Sequence, residues 1–106
     1  MKITFERSGG FVGRRLAGII ETDILAPDEA AEVAQLVEDA NFFKLPRSLR
    51  PRLAIADDYE YVVTIVADEH EHTVETTDHS APETLRPLLW RLAEIVHASR
   101  RDDGEG

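Results

Sequence analysis

The sequence contains no cysteine, so neither a disulfide framework nor a thiolate metal site can support its fold or its function. Near its start there is no basic segment followed by an apolar run and a small-residue cleavage site. No apolar stretch approaches the length that spans a membrane. These absences predict a cytoplasmic protein that does not bind membranes.

Recognisable catalytic motifs are also missing. There is no pair of histidines four apart, no phosphate-binding Gly-Lys-Ser/Thr segment and no serine in a nucleophile elbow. The only metal candidate is His70-Glu71-His72, because residues two apart on a strand point the same way. Without a third clustered ligand, a solvated turn is the favoured interpretation of this segment. The sequence therefore predicts a protein that is not an enzyme and has no cofactor or metal of its own.

Positive charge is scarce, and its distribution is uneven. The formal net charge of −9 opposes binding to nucleic acid, which requires clustered cations. Many of the basic residues lie in or beside two segments of the chain, and they are Arg7, Arg14, Arg15, Lys44, Arg47, Arg50 and Arg52. A basic rim of this kind favours an acidic protein partner through electrostatic steering.

The most informative segment that is present is Ser8-Gly9-Gly10-Phe11-Val12-Gly13. Three glycines within five residues surround a large aromatic side chain, which is typical of a tight turn at the tip of a hairpin. Phe11 and Val12 then either lie in solvent, available to a partner, or fold back onto their own strands. The residues of this segment alone leave both alternatives open.

Hydrophobic periodicity predicts the order ββαββα. Two helices with one apolar stripe each favour an α+β fold, in which a four-stranded, mostly antiparallel sheet carries both helices on one face. The predicted strands cover residues 2–7, 14–22, 59–66 and 72–76, and the predicted helices run from about 27 to 41 and from about 80 to 97. We expect one domain over residues 1–99 and a flexible tail over 100–106.

Several local details follow from the same patterns. The alternation around Val63 predicts a central strand that is buried on both faces. Ser80 and Glu83 have the spacing of a capping box at the start of the second helix. Residues 44–56 show no usable periodicity, which predicts a long loop without structure. Counting strand directions, this loop, the glycine-rich hairpin tip and the connection after Thr76 should meet at one end of the sheet.

Five segments resemble a known family when they are taken together. They are 8–13 (SGGFVG), 27–30 (PDEA), 42–46 (FFKLP), 56–61 (ADDYEY) and 78–89 (DHSAPETLRPLL). In this order and at these separations they are similar to the emfourin family of bacterial protein inhibitors. The resemblance implies inhibition of thermolysin-like zinc metalloproteases of the protealysin group. It also implies two neighbouring loops, one directing an aspartate at the enzyme's zinc and the other placing apolar groups in the substrate pockets.

Assigning those roles to residues is our own inference. Asp57 is the best candidate for the aspartate, because it precedes a strand at the sheet end where Phe11 should lie; Asp23 and Asp78 remain rivals. Alternation along the strand should send the neighbouring Asp58 elsewhere. The expected protease contacts are Gly9, Gly10, Phe11 and Val12 in one loop and Leu53, Ile55 and Asp57 in the other.

Two other functions compete with inhibition. The chain could be a non-inhibitory interaction module, acting as a homodimer or binding a partner through an open sheet edge or Trp90. It could also be a small hydrolase or isomerase built around Asp57, Asp78 and His79. As an inhibitor, the chain is expected to be a monomer when free, with a homodimer as the alternative.

Overall fold

A computed structural model describes residues 1–9, 15–49 and 58–105, with side chains described up to residue 99. The chain forms four strands and two helices in the predicted order, and the fold is α+β. The elements are β1 (Lys2–Gly9), β2 (Leu16–Glu21), α1 (Pro27–Asp39), β3 (Tyr59–Ala67), β4 (His70–Thr77) and α2 (Arg86–Glu105).

The sheet has the order β2-β1-β3-β4, and its neighbouring strands are antiparallel. β1 and β3 are central, with Phe5 opposite Val63 and Gly9 opposite Tyr59. β3 and β4 are joined by a tight turn in which Asp68 has a φ of 57°, a left-handed conformation that aspartate tolerates better than most residues. β4 begins at His70, two residues earlier than the sequence predicts.

The core lies between one face of the sheet and the two helices. Alternate residues of every strand point into it, and the helices add their apolar stripes. The largest fully buried side chains include Phe5, Phe42, Ile65, Leu85, Leu88 and Leu92. On the opposite face of β3, Val62 and Val66 are partly exposed. The prediction that this strand is buried on both faces is therefore wrong, because both helices lie on the same side.

α1 begins at Pro27, whose ring suits the first turn, and Asp28 and Glu29 lie at its positive end. Val33 and Val37 are its buried residues. The helix ends at Asp39, two residues before the predicted end, because Asn41 adopts a left-handed φ of 53°.

The first part of the segment predicted as a structureless loop is ordered against β4. Ser48 forms a parallel bridge with Glu75, and Leu49 donates its backbone N–H to the Glu75 carbonyl at 2.7 Å. The Glu75 N–H in turn donates to the Arg47 carbonyl at 2.7 Å. Residues 47–49 thus cover part of the outer edge of β4.

α2 differs from its prediction at both ends. It begins at Arg86, with Pro87 in its opening turn, and it continues to Glu105 instead of ending near His97. The capping box does not form, because the Ser80 hydroxyl accepts the backbone N–H of Thr77 at 2.9 Å and also bonds the Thr77 hydroxyl. Ser80 therefore closes the turn after β4, six residues before the helix starts. The division at residues 99 and 100 stays a prediction.

None of the helices in the described part of the chain is both long and apolar enough to cross a membrane.

Candidate functional site

Most of the residues predicted to contact a protease lie outside the described residues. These are Gly10, Phe11 and Val12 in the first segment and Leu53, Ile55 and Asp57 in the second. The structure does describe the residues that flank both segments. They show where each segment leaves the sheet and returns to it.

The flanking residues meet at one end of the sheet. Gly9, the last residue of β1, is paired with Tyr59, the first residue of β3, and Glu60 is paired with Thr77 at the end of β4. The prediction that these connections emerge together agrees with the positions of Gly9, Tyr59 and Thr77, whereas residues 47–49 lie along the outer edge of β4. Asp23 lies beyond Glu21, which is paired with Lys2 at the other end. Seven residues separate Lys2 from Gly9 along β1, so that end is about 24 Å away.

The backbone of Gly9 lies directly beside Asp58, the residue that follows the second segment. Its φ is 82°, a conformation that residues with a side chain rarely adopt. A Cβ atom at this position would lie 3.0 Å from the carbonyl oxygen of Asp58, closer than ordinary contact allows. Glycine is therefore required where residues 10–14 begin, directly beside the point where residues 50–57 end.

Asp58 is a buried anchor of the same region. It is only 8% exposed, and its carboxylate accepts the backbone N–H of His79 at 3.3 Å and lies 3.2 Å from His79 Nδ1. Burial is the largest single influence and opposes ionisation, but hydrogen bonds from His79 and Thr77 together outweigh it and lower the pKa of Asp58. Asp58 thus fixes the start of β3 against the turn after β4.

We expect Asp58→Asn to destabilise the fold by about 1–3 kcal/mol at neutral pH, because the buried acceptor loses its charge. Asp58 has a lowered pKa in the folded state, so its contribution is complete above about pH 5 and is lost as the pH falls through that pKa. The difference in unfolding free energy between wild type and variant should shrink accordingly. Urea denaturation at several pH values measures it.

Glu83→Gln is the matched control, because Glu83 is an exposed acid close in sequence to the same turn. It should leave the stability unchanged throughout. A difference for Asp58→Asn that stays constant down to pH 2 would show that the charge of this carboxylate does not stabilise the turn.

Asp78 lies at the same end of the sheet, and it has a structural partner. The Tyr61 hydroxyl donates to Asp78 Oδ1 at 2.8 Å, and burial followed by this hydrogen bond raises the pKa of Tyr61. Tyr61 itself is in the core and packs against Phe5 with ring centroids 6.1 Å apart. Of the two rivals to Asp57, Asp78 lies at the same end of the sheet as Gly9 but already accepts a hydrogen bond from Tyr61. Asp23 lies at the opposite end of the sheet.

The Asp58 and His79 pair resembles part of a catalytic triad, but it lacks a nucleophile. No hydroxyl group in the described ranges hydrogen-bonds to His79, whose side chain is 65% exposed. Ser80 is the nearest serine in sequence, and its hydroxyl bonds Thr76 and Thr77. The described contacts of this pair orient the turn after β4.

His70 and His72 lie on β4 and not in the turn before it; His70 is exposed, and His72 is partly buried. His72 donates from Nε2 to the Leu45 carbonyl at 2.6 Å, and its ring packs edge-on against Phe42. His70 packs against Phe43. The described side chains include no group of three or more acids and histidines suited to a metal ion. The histidines instead hold residues 42–45 against the sheet.

A cavity of about 560 Å³ opens beside this network, between the end of the sheet and the first turns of α2. The residues that shape it, called the arginine pocket below, include Arg7, Tyr59, Tyr61, Asp78, Arg86 and Trp90. The Arg7 guanidinium stacks on the Tyr59 ring, 4.3 Å from its centroid. Trp90 is 57% exposed and lies one helical turn after Arg86.

The sequence did not predict this pocket, although two weak patterns involve its residues. Arg7 continues the inward phase of Phe5 on β1, and Arg86 and Trp90 have the spacing of one helix face. Nothing in either pattern indicates that the two elements meet. Only the tertiary fold brings Arg7 and Arg86 to the same cavity.

Comparison with known proteins gives one result. The Emfourin family matches residues 5–93, which include most of β1, all of β3, the two segments between these strands and the first part of α2. No curated protein and no solved structure matches the chain.

Proposed function

Since the chain belongs to the emfourin family, we propose that it inhibits thermolysin-like zinc metalloproteases of the protealysin type by occluding their active-site cleft. The single observation that carries the proposal, beside the family match, is the pairing of Gly9 with Tyr59. It brings Gly9, which precedes residues 10–14, next to Asp58 and Tyr59, which follow residues 50–57. A partner can therefore be contacted by both segments at once.

The proposed mechanism uses the open coordination position of the enzyme. A thermolysin-like protease holds its zinc with two histidines and a glutamate and leaves a fourth position for water. The carboxylate of Asp57 takes that position, and Phe11 and Val12 enter the substrate pockets, with Leu53 and Ile55 beside them. Gly9 and Gly10 allow the first segment to approach closely. The chain supplies a ligand for the partner's metal and no metal of its own.

The charges around this end support an acidic partner surface. Arg7, Arg15 and Arg86 lie at or near it, whereas the chain as a whole carries a net charge of −9. Arg15 is largely exposed and forms an ion pair with Glu6 at 2.7 Å. Local positive charge on an acidic protein orients the approach of a partner more than it strengthens the final complex.

Titration of a cognate thermolysin-like enzyme with the protein should give reversible inhibition at one-to-one stoichiometry. Phe11→Ala should weaken it by roughly 1–3 kcal/mol without changing the melting temperature, because an interface aromatic loses contact energy only in the complex. Residual peptide hydrolysis measured against inhibitor concentration gives both quantities. Phe43→Ala, a partly exposed phenylalanine on the 3-10 turn at Phe42–Lys44, is the control and should inhibit like wild type.

Two results would count against the proposal. Full protease activity at large molar excess, for several such enzymes, would remove the inhibitor function. A large fall in melting temperature for Phe11→Ala with unaltered inhibition would place Phe11 in the core.

A second candidate function is an interaction through the outer edge of β2. Ile19 is 63% exposed and Ile24 is 80% exposed, and they flank a groove of about 350 Å³ between β2 and α2. Unlike β4, β2 has no strand or bridge on its outer side among the described residues. An edge of this kind can pair with another chain. Sedimentation equilibrium of the isolated protein distinguishes the expected monomer from a homodimer.

A further inference from the structure

The arginine pocket is lined by two arginines that each have an unsatisfied donor atom. The Nε atoms of Arg7 and Arg86 are both buried, and neither has a hydrogen-bond partner. Within the described ranges, neither guanidinium forms an ion pair with a carboxylate. A buried charged donor without a partner is costly, and the two arginines that carry these donors line one cavity, which indicates a site for an anion.

We propose that the arginine pocket binds the carboxylate of an aspartate or glutamate side chain. Guanidinium groups are planar, and each can donate two parallel hydrogen bonds to a carboxylate. Tyr59 and Trp90 provide aromatic surface for the methylene groups of that aspartate or glutamate side chain. Asp78 is also part of the wall, and its negative charge disfavours a dianion such as phosphate more than a singly charged carboxylate.

The occupant is an acidic side chain on the target protease, an assignment that rests on the proposed function. The pocket opens at the sheet end where Gly9 and Asp58 begin and end the two segments that contact the enzyme. A protease seated on those segments necessarily presents its surface to Arg86 and Trp90. Charge complementarity agrees, because the pocket concentrates cations on a chain whose net charge is −9.

The first experiment uses the isolated protein and does not involve a protease. Acetyl-glutamate amide is titrated into isotope-labelled protein while the Trp90 indole N–H and the arginine Nε–H resonances are followed. We expect saturable shifts that acetyl-glutamine amide does not produce and that Arg86→Gln removes. Equal shifts with the glutamine compound, no shift at all, or tighter binding of inorganic phosphate would each overturn the carboxylate assignment.

The second experiment measures inhibition of the protease at low and high salt. Arg86→Gln should raise the inhibition constant about tenfold and reduce its dependence on salt, because one charge pair is lost from the interface. Lys2→Gln removes the same charge at the opposite end of the sheet and should do neither. Arg86→Lys keeps the charge without the planar fork, and it should give an intermediate constant. If Arg86→Gln does not fold, Arg86→Lys still tests whether the guanidinium group contributes to inhibition.

Different results would contradict the proposed carboxylate pocket and the proposed inhibition. If the wild type inhibits and the folded Arg86 variants inhibit equally well, the pocket does not bind the protease and inhibition stands. If no protease is inhibited but the Trp90 indole responds to acetyl-glutamate amide, the pocket binds carboxylates and its assignment to a protease is wrong.

Discussion

Asp57→Asn should weaken inhibition by about 3 kcal/mol or more, which corresponds to a loss on the order of 100-fold in affinity. An amide has nearly the same shape as a carboxylate, but it is a much poorer ligand for zinc. The loss should appear in the inhibition constant and not in the melting temperature. Progress curves of peptide hydrolysis at a fixed enzyme concentration measure the constant.

The two rival aspartates provide the controls for this substitution. Asp23→Asn should inhibit like wild type, because Asp23 lies at the far end of the sheet. Asp78→Asn should lower the free energy of unfolding more than it weakens inhibition, since it weakens the hydrogen bond from Tyr61. Asp58 is unsuitable as a control because its carboxylate is buried and anchors His79. Wild-type inhibition by Asp57→Asn together with failure of Asp78→Asn would transfer the zinc-directed role to Asp78.

Leu88→Ala should destabilise the fold by about 2–5 kcal/mol, because Leu88 is fully buried where α2 meets the sheet and its truncation leaves a cavity. For a domain of this size the melting temperature should fall by roughly 10–20 °C or more. Calorimetry or thermal circular dichroism measures the shift. At temperatures where the variant remains folded, its inhibition constant should equal that of the wild type.

Ile24→Ala is the matched control for the core substitution. It also removes part of an aliphatic side chain, but Ile24 is 80% exposed and lies in the 3-10 turn Thr22–Ile24. Its effect on the melting temperature should be small. Similar losses for both variants would mean that α2 is not packed on the sheet as described.

Much of the fold is predictable because its elements carry strong local patterns. The alternation of β3 and the leucine stripe of α2 each require burial on one side, which places both helices on the same face. The strand directions then follow from connection lengths. This is why the convergence of the two segments at one sheet end could be anticipated without coordinates.

The errors occur where backbone or tertiary contacts override local signals. Residues 47–49 join β4 through backbone hydrogen bonds that leave no pattern in the side chains. Ser80 has the spacing of a helix cap, yet Thr77 competes successfully for its hydroxyl. Alternation predicts that Asp58 turns away from the proposed contacts, but nothing in the sequence indicates that His79 holds it in a buried contact.

The candidate site was predictable only in part. Glycine and phenylalanine in a hairpin tip, and an aspartate before a strand, are visible in the sequence as loop chemistry. The arginine pocket is not, because its two guanidinium groups come from β1 and α2, at opposite ends of the chain. Their proximity depends on the order of the strands and on the packing of α2 over β1.

The central pairing of β1 with β3 determines what happens to this chain if a protease cuts it. Residues before 50 supply β1, β2 and α1, and residues after 57 supply β3, β4 and α2, so eight residue pairs of the sheet cross between the two halves. A cut within 50–57 would leave fragments with no complete core of their own. They would stay associated through the pairing of β1 with β3 and through the hydrogen bond from Leu49 to Glu75. The severed ends would remain near each other, which favours resealing of the peptide bond over departure of either fragment.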